Sequence, residues 1–162
     1  MVDRRKYIHY GSCRFDKSRF IKIVNREMFV KPGGGLWASP VESKYGWRQW
    51  CESERFHTGR LGWSFEFTLS PGAKVLHIFA VEDLDELPKQ ACEGQLPYVC
   101  LDFEKLLADG YDAVELHLSE DRSYGGFMAV LYWALYGWDC DSILVMNPDV
   151  IVVEDEDGRE EN

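Results

Sequence analysis

Trp63-Ser64-Phe65-Glu66-Phe67-Thr68-Leu69, followed by Ser70-Pro71-Gly72 and then Lys74-Val75-Leu76-His77-Ile78-Phe79-Ala80, is the stretch on which the fold class turns. The first run alternates large apolar with polar side chains, the pattern of a half-buried strand. Pro71-Gly72 supplies a turn, and the second run returns as another strand. Toward the C-terminus, residues 84–90 predict a weak helix interrupted by Pro88. Asp102 is placed as the N-cap of a helix over 103–108, and Gly110 ends it. Strands are expected over 111–116 and 142–146, with a long apolar helix over 127–136 between them. Asn147-Pro148-Asp149 then turns the chain into a last strand over 150–153.

Working back toward the N-terminus, residues 7–10 read as a first strand closed by Gly11, and 15–25 as a short helix or turn. Pro32-Gly33-Gly34-Gly35 is the strongest breaker, from which a strand over 36–39 emerges and stops at Pro40. Residues 41–53 predict a helix, with Trp47, Trp50 and Cys51 on one face at i, i+3, i+4 spacing. Short strands, separate helices and no regular βαβ alternation indicate an α+β domain, two packed and mainly antiparallel sheets with flanking helices. One domain is expected over 1–153, with an acidic tail over 154–162.

The chain has 162 residues, enough to bury a core unaided. Its nine Phe and six Trp exceed what a minimal core needs, so some rings are expected to line a pocket. A net charge of −10 argues against broad nucleic-acid binding, because little here would neutralise a phosphate backbone. The five cysteines (13, 51, 92, 100 and 140) form no CxxC pair, which suggests reduced thiols. With a polar N-terminus and no long apolar run, a soluble, cytoplasmic protein is expected.

Three segments carry polar and glycine residues badly placed for packing alone. In Ile8-His9-Tyr10-Gly11-Ser12 a histidine ends a strand and a glycine follows, where a ligand approaches backbone closely. Gly35-Leu36-Trp37-Ala38-Ser39 precedes the helix bearing Trp47 and Trp50. Asp139-Cys140-Asp141-Ser142 opens the late strand. Read blandly, these are a structural histidine, a flexible hairpin before a tryptophan-rich helix, and loop acidity.

Jointly, their order resembles the ADP-ribosyltransferase superfamily, in its diphtheria-toxin and poly(ADP-ribose) polymerase branch. His9-Tyr10-Gly11-Ser12 is similar to that branch's first motif with one residue inserted. Gly35 to Ser39 is similar to its second motif, with Trp37 in place of the first tyrosine. Trp47 matches the second tyrosine, Trp50-Cys51 being the competing register. Asp141-Ser142-Ile143-Leu144-Val145 resembles the catalytic strand, with Asp for the usual Glu and Glu115 as the fallback acid.

The resemblance implies a mono-ADP-ribosyltransferase using NAD⁺ as co-substrate and no metal, with a macromolecular acceptor, a protein before a nucleic acid, and a role as toxin, effector or phage-encoded inhibitor. Catalysis would fall to Asp141, His9 and Trp37. NAD⁺ would be held by His9, Tyr10, Gly11, Ser12, Arg14, Trp37, Ser39 and Trp47 or Trp50. Rival readings are an inactive NAD⁺- or ADP-ribose-binding relative, an acidic interaction protein, and an RNA-processing phosphotransferase on a related scaffold.

Overall fold

The strands assemble into a curled, mostly antiparallel sheet, seen in a computed structural model that describes residues 4–27, 31–91, 99–122, 135 and 137–154. The strands are β1 (Lys6–Tyr10), β2 (Leu36–Pro40), β3 (Ser64–Leu69), β4 (Val75–Ile78), β5 (Lys89–Ala91), β6 (Val99–Leu101), β7 (Ala113–Leu116), β8 (Ser142–Val145) and β9 (Ile151–Val152). Seven of them form one sheet in the order β4-β7-β8-β2-β1-β3-β9, and β5 pairs with β6 in a separate ribbon. Among the described strands only β4 and β7 run parallel; the other pairings are antiparallel. The fold is therefore α+β, as the sequence indicates, but the described strands make one seven-stranded sheet and a ribbon rather than two comparable sheets.

The register divides the side chains between two faces, because neighbours along a strand point to opposite sides. Trp37 lies opposite Leu144, and Ala38 opposite Ile143. On the first face, Val114, Leu116, Leu144 and Ile78 pack with Ile23, Leu101, Trp138 and the apolar side of α2 (Phe103–Ala108). On the second face, Tyr7, Phe65, Phe67, Ala38, Ala113, Ile143 and Val145 form a separate cluster. All four side chains of β7 and of β8 are buried, as central strands covered on both sides require.

The helices are short. Asp102 caps α2 by accepting from the Lys105 amide at 2.9 Å. Asn25 joins that cap to the N-terminal segment: its Nδ2 donates to Asp102 at 2.7 Å and its Oδ1 accepts from the Phe103 amide at 2.9 Å. The other described helix, α1 (Trp47–Glu54), begins six residues later than its apolar pattern implies. Residues 41–46 turn there instead, with Gly46 at the N-cap. Residues 84–90 are a 3₁₀ turn end and strand β5, Pro88 having excluded the weak helix expected there. Residues 15–25 hold a single 3₁₀ turn, Lys17–Arg19. Apart from Leu135 and Glu154, the expected helix at 127–136 and the acidic tail at 154–162 lie outside the described residues.

The triple glycine is not a loose hairpin. Gly33 pairs with Val24, and the Gly35 amide donates to the Ile21 carbonyl at 2.9 Å. A Cβ on Gly34, whose φ is +74°, would sit 2.3 Å from the Lys22 carbonyl oxygen. Glycine is demanded by close backbone approach, and this contact fixes the point from which β2 enters the sheet.

Candidate functional site

A cleft of about 300 Å³ opens on the first face where β8, β2 and β1 lie side by side. Its walls include His9 and Tyr10 from β1, Trp37 and Ser39 from β2, and Trp47 from α1. Lys31, Trp138, Asp139, Cys140 and Ser142 complete it. The size suits one aromatic heterocycle with a polar substituent. Trp37 meets Trp138 edge to face at 4.7 Å, while Trp47 stacks on Trp50 at 5.1 Å. Trp47 lines the cleft, and Trp50 stacks on it.

Polar groups around the cleft are few and constrained; His9 lines its margin, its ring lying against Phe65 on the second face at 5.2 Å. Nδ1 of His9 donates to the Trp37 carbonyl at 2.7 Å, leaving Nε2 as the acceptor nitrogen. Burial holds this imidazole below its ordinary pKa, so it is neutral. The Lys31 ammonium sits 5.1 Å from the centre of the Trp37 ring. Burial lowers its pKa, and the carboxylate of Asp139 works against that shift. Burial pushes the Cys140 thiol up to about 12, so it is not a nucleophile at neutral pH.

Several expected site residues do other work. The Gly11 amide, expected to help hold NAD⁺, donates instead to the Trp63 carbonyl at 2.7 Å. Ser12 bonds the Arg14 carbonyl at 2.8 Å, and the exposed Arg14 takes no part in the cleft. Ser39 is buried and serves as a clamp: its hydroxyl donates to the Asp141 carbonyl at 2.9 Å and accepts from the Trp47 amide at 2.8 Å. One serine thus ties β2, α1 and the start of β8 together.

Asp141 does not join the cleft. It lies two residues before Ile143 and so shares the second face, opposite to Trp37. Its carboxylate accepts from the Ser43 hydroxyl at 2.7 Å, the Ser119 amide at 2.8 Å and the Ser119 hydroxyl. The fallback acid, Glu115, is also on the second face and fully buried. There it accepts from the Tyr7 hydroxyl at 2.9 Å, and Arg5 Nη1 lies 3.1 Å from its other oxygen. Burial outweighs both partners and raises its pKa to about 7. The carboxylate that does face the cleft is Asp139.

No known protein family, curated protein or solved structure matches this chain.

Sequence reasoning missed Lys31, Trp138 and Ser142 in the cleft, and His77 and His117 beyond it. Ser142 carried a usable signal, since it shares its side of β8 with Leu144 and hence with Trp37. The other four had none. Lys31 and Trp138 sit at the ends of breaker segments, and the two histidines meet only through the pairing of β4 with β7. Cys100 is disulfide-bonded, which corrects the expectation of five reduced thiols; Cys13, Cys51 and Cys140 are free. Among the described residues no helix is long and apolar enough to cross a membrane.

Proposed function

We propose that the cleft takes the nicotinamide end of NAD⁺ and that the chain transfers ADP-ribose from it to a macromolecular acceptor, a protein before a nucleic acid. One observation carries the reading. The three segments whose order resembles the transferase motifs are adjacent strands, β8-β2-β1, and Tyr10, Trp37, Ser39 and Trp47 line a single cleft against them, with His9 at its margin because β1's period of two turns its ring toward Phe65 on the second face. The chemistry of the walls fits a planar cation. Trp37 already carries the Lys31 ammonium on its ring, and the pyridinium of NAD⁺ is attracted to the same π-face. On binding, Lys31 leaves the ring for the pyrophosphate.

In the reaction the bond from ribose C1′ to the nicotinamide nitrogen breaks, and nicotinamide departs neutral with the bonding pair. The acceptor nucleophile then bonds C1′, and its proton passes to a base. Positive charge develops on the ribose in between, so a carboxylate beside it lowers the barrier. We assign that role to Asp139, which lines the cleft. A second reading, binding without transfer, is favoured by the engagement of Asp141 on the far face.

Calorimetric titration with NAD⁺ and incubation of labelled NAD⁺ with host lysate test both readings. Trp37→Ala is expected to weaken NAD⁺ binding by about 5- to 150-fold, the equivalent of 1–3 kcal/mol of stacking. Asp139→Asn should keep binding but lower transfer by at least about a hundredfold. Binding with no labelled product selects the second reading, and the absence of NAD⁺ binding rejects both.

A further inference from the structure

On the second face of the sheet, away from the cleft, His77 of β4, Glu115 of β7 and His117 just beyond β7 bring three ligand-bearing side chains together. We propose that these three residues form a binding site for one divalent transition-metal ion of the Zn²⁺ type, held by two imidazole nitrogens and one carboxylate.

The spacing is that of a coordination shell. His77 Nδ1 lies 2.9 Å from His117 Nε2 and 3.5 Å from Glu115 Oε2, and His117 Nε2 lies 3.9 Å from Glu115 Oε1. Bonds of about 2.0–2.1 Å to a tetrahedral ion place neighbouring ligand atoms roughly 3.3 Å apart. The observed edges bracket that value, so small side-chain adjustments suffice. The backbone enforces the arrangement: β4 and β7 are parallel neighbours with His77 opposite Glu115. His117, two residues after Glu115, returns to the same side.

The surroundings meet the needs of outer partners. The Tyr7 hydroxyl and Arg5 each address one oxygen of Glu115. A carboxylate has about four lone-pair positions, so both partners orient it and leave positions for a metal. Arg5 also holds Glu42 at 2.8 Å, so its charge is balanced within its own ion pair. The His117 ring is fixed by stacking on Phe79 at 3.9 Å. Glu115 and His117 are buried while the His77 side chain is 44% exposed, which gives the ion an entry path and room for water as a further ligand. Without metal, the two imidazoles share a single N–H···N hydrogen bond at 2.9 Å, which holds the ligand nitrogens together before an ion enters.

Chelator-treated full-length protein, carrying Cys13→Ser to remove the exposed thiol, is titrated by calorimetry with zinc chloride and, separately, with magnesium chloride. Co²⁺ absorption reports the coordination geometry. One equivalent of Zn²⁺ should bind, with His77→Ala weakening it by more than about a hundredfold, the upper end of what outer partners alone contribute. His77 is partly exposed, so this variant is expected to fold, which circular dichroism verifies. His57→Ala, a change at an exposed histidine outside the cluster, should leave binding intact. Absence of saturable Zn²⁺ binding, equal affinity for Mg²⁺, or a His77→Ala variant that binds as the parent does would overturn the assignment.

Discussion

Asp141→Asn separates a structural carboxylate from a catalytic one. Asp141 is only 6% exposed, and its oxygens accept three hydrogen bonds, two from Ser119 and one from Ser43. A hydrogen bond to a charged acceptor contributes about 1.5–3 kcal/mol. The amide of asparagine keeps one accepting oxygen and turns an NH₂ group toward groups that are themselves donors. Ser119 is exposed and Ser43 half-buried, so part of the loss is recovered through water. The expected net cost is therefore roughly 2–4 kcal/mol rather than the full sum. For a domain of this length that lowers the thermal midpoint by roughly 5–15 °C. Differential scanning calorimetry measures the midpoint, and NAD⁺ titration at a temperature where the variant is still folded measures the site. A destabilised variant with unchanged NAD⁺ affinity and transfer is the expected result. An unchanged midpoint together with lost transfer would refute the reasoning and restore Asp141 to the catalytic role that its sequence position implies.

Two further outcomes follow from the same geometry. Gly34→Ala should lower stability by at least about 1–2 kcal/mol from the left-handed backbone alone, and by more because its Cβ meets the Lys22 carbonyl at 2.3 Å; urea denaturation reads the loss, and a variant as stable as the parent would contradict the close approach. His9 gives a pH effect of definite sign. Burial depresses its folded pKa, so below the ordinary value near 6.5 the unfolded chain takes up a proton that the folded chain refuses. Stability from this group is present above that pH and is lost as the pH falls toward the folded pKa. Urea midpoints at about pH 7.5 and about pH 5.5 should therefore differ less in His9→Gln than in the parent, since the glutamine does not titrate; equal differences would remove the burial argument.

Much of the fold was legible because local signals and tertiary demands agree. The alternation in residues 63–69 became β3, and Asp102 with Gly110 bracketed α2 at its observed ends. Legibility failed where packing chose between local options. Trp47, Trp50 and Cys51 signalled α1, but its N-cap is Gly46, which has no capping side chain to read, so its start was misplaced toward Pro40. β6 is three residues long and has no period to read. Within the site, the aromatic walls were visible because tryptophans are conspicuous near a glycine break. The partner that β7 finds in β4 was invisible: parallel pairing across 38 residues leaves no local trace, and the approach of His77 to Glu115 depends on it.

The division of labour between Asp139 and Asp141 rests on the same period of two that organises the sheet. Ser142 and Leu144 share a face with Trp37, and Ile143 and Val145 share a face with Ala38. A residue one step before Ser142 must therefore leave the aromatic side, and Asp141 does so, meeting Ser43 and Ser119 instead. Asp139 precedes the strand, where the chain is not bound by that alternation, and it reaches the cleft beside Lys31. The motif Asp-x-Asp-Ser thus offers one acid to each side of the sheet. β8 itself gives no help in choosing between them, because all four of its side chains are buried and both faces are apolar. Only the partner strand decides, through the opposition of Trp37 to Leu144. A single-residue slip of β8 against β2 would exchange the two faces, bringing Asp141 to the tryptophans and driving Ile143 out of the second core. Burial of Ile143 and Val145 against Phe67 and Ala113 opposes that slip, and it is this packing, rather than any feature of the acids, that keeps Asp141 away from the tryptophans.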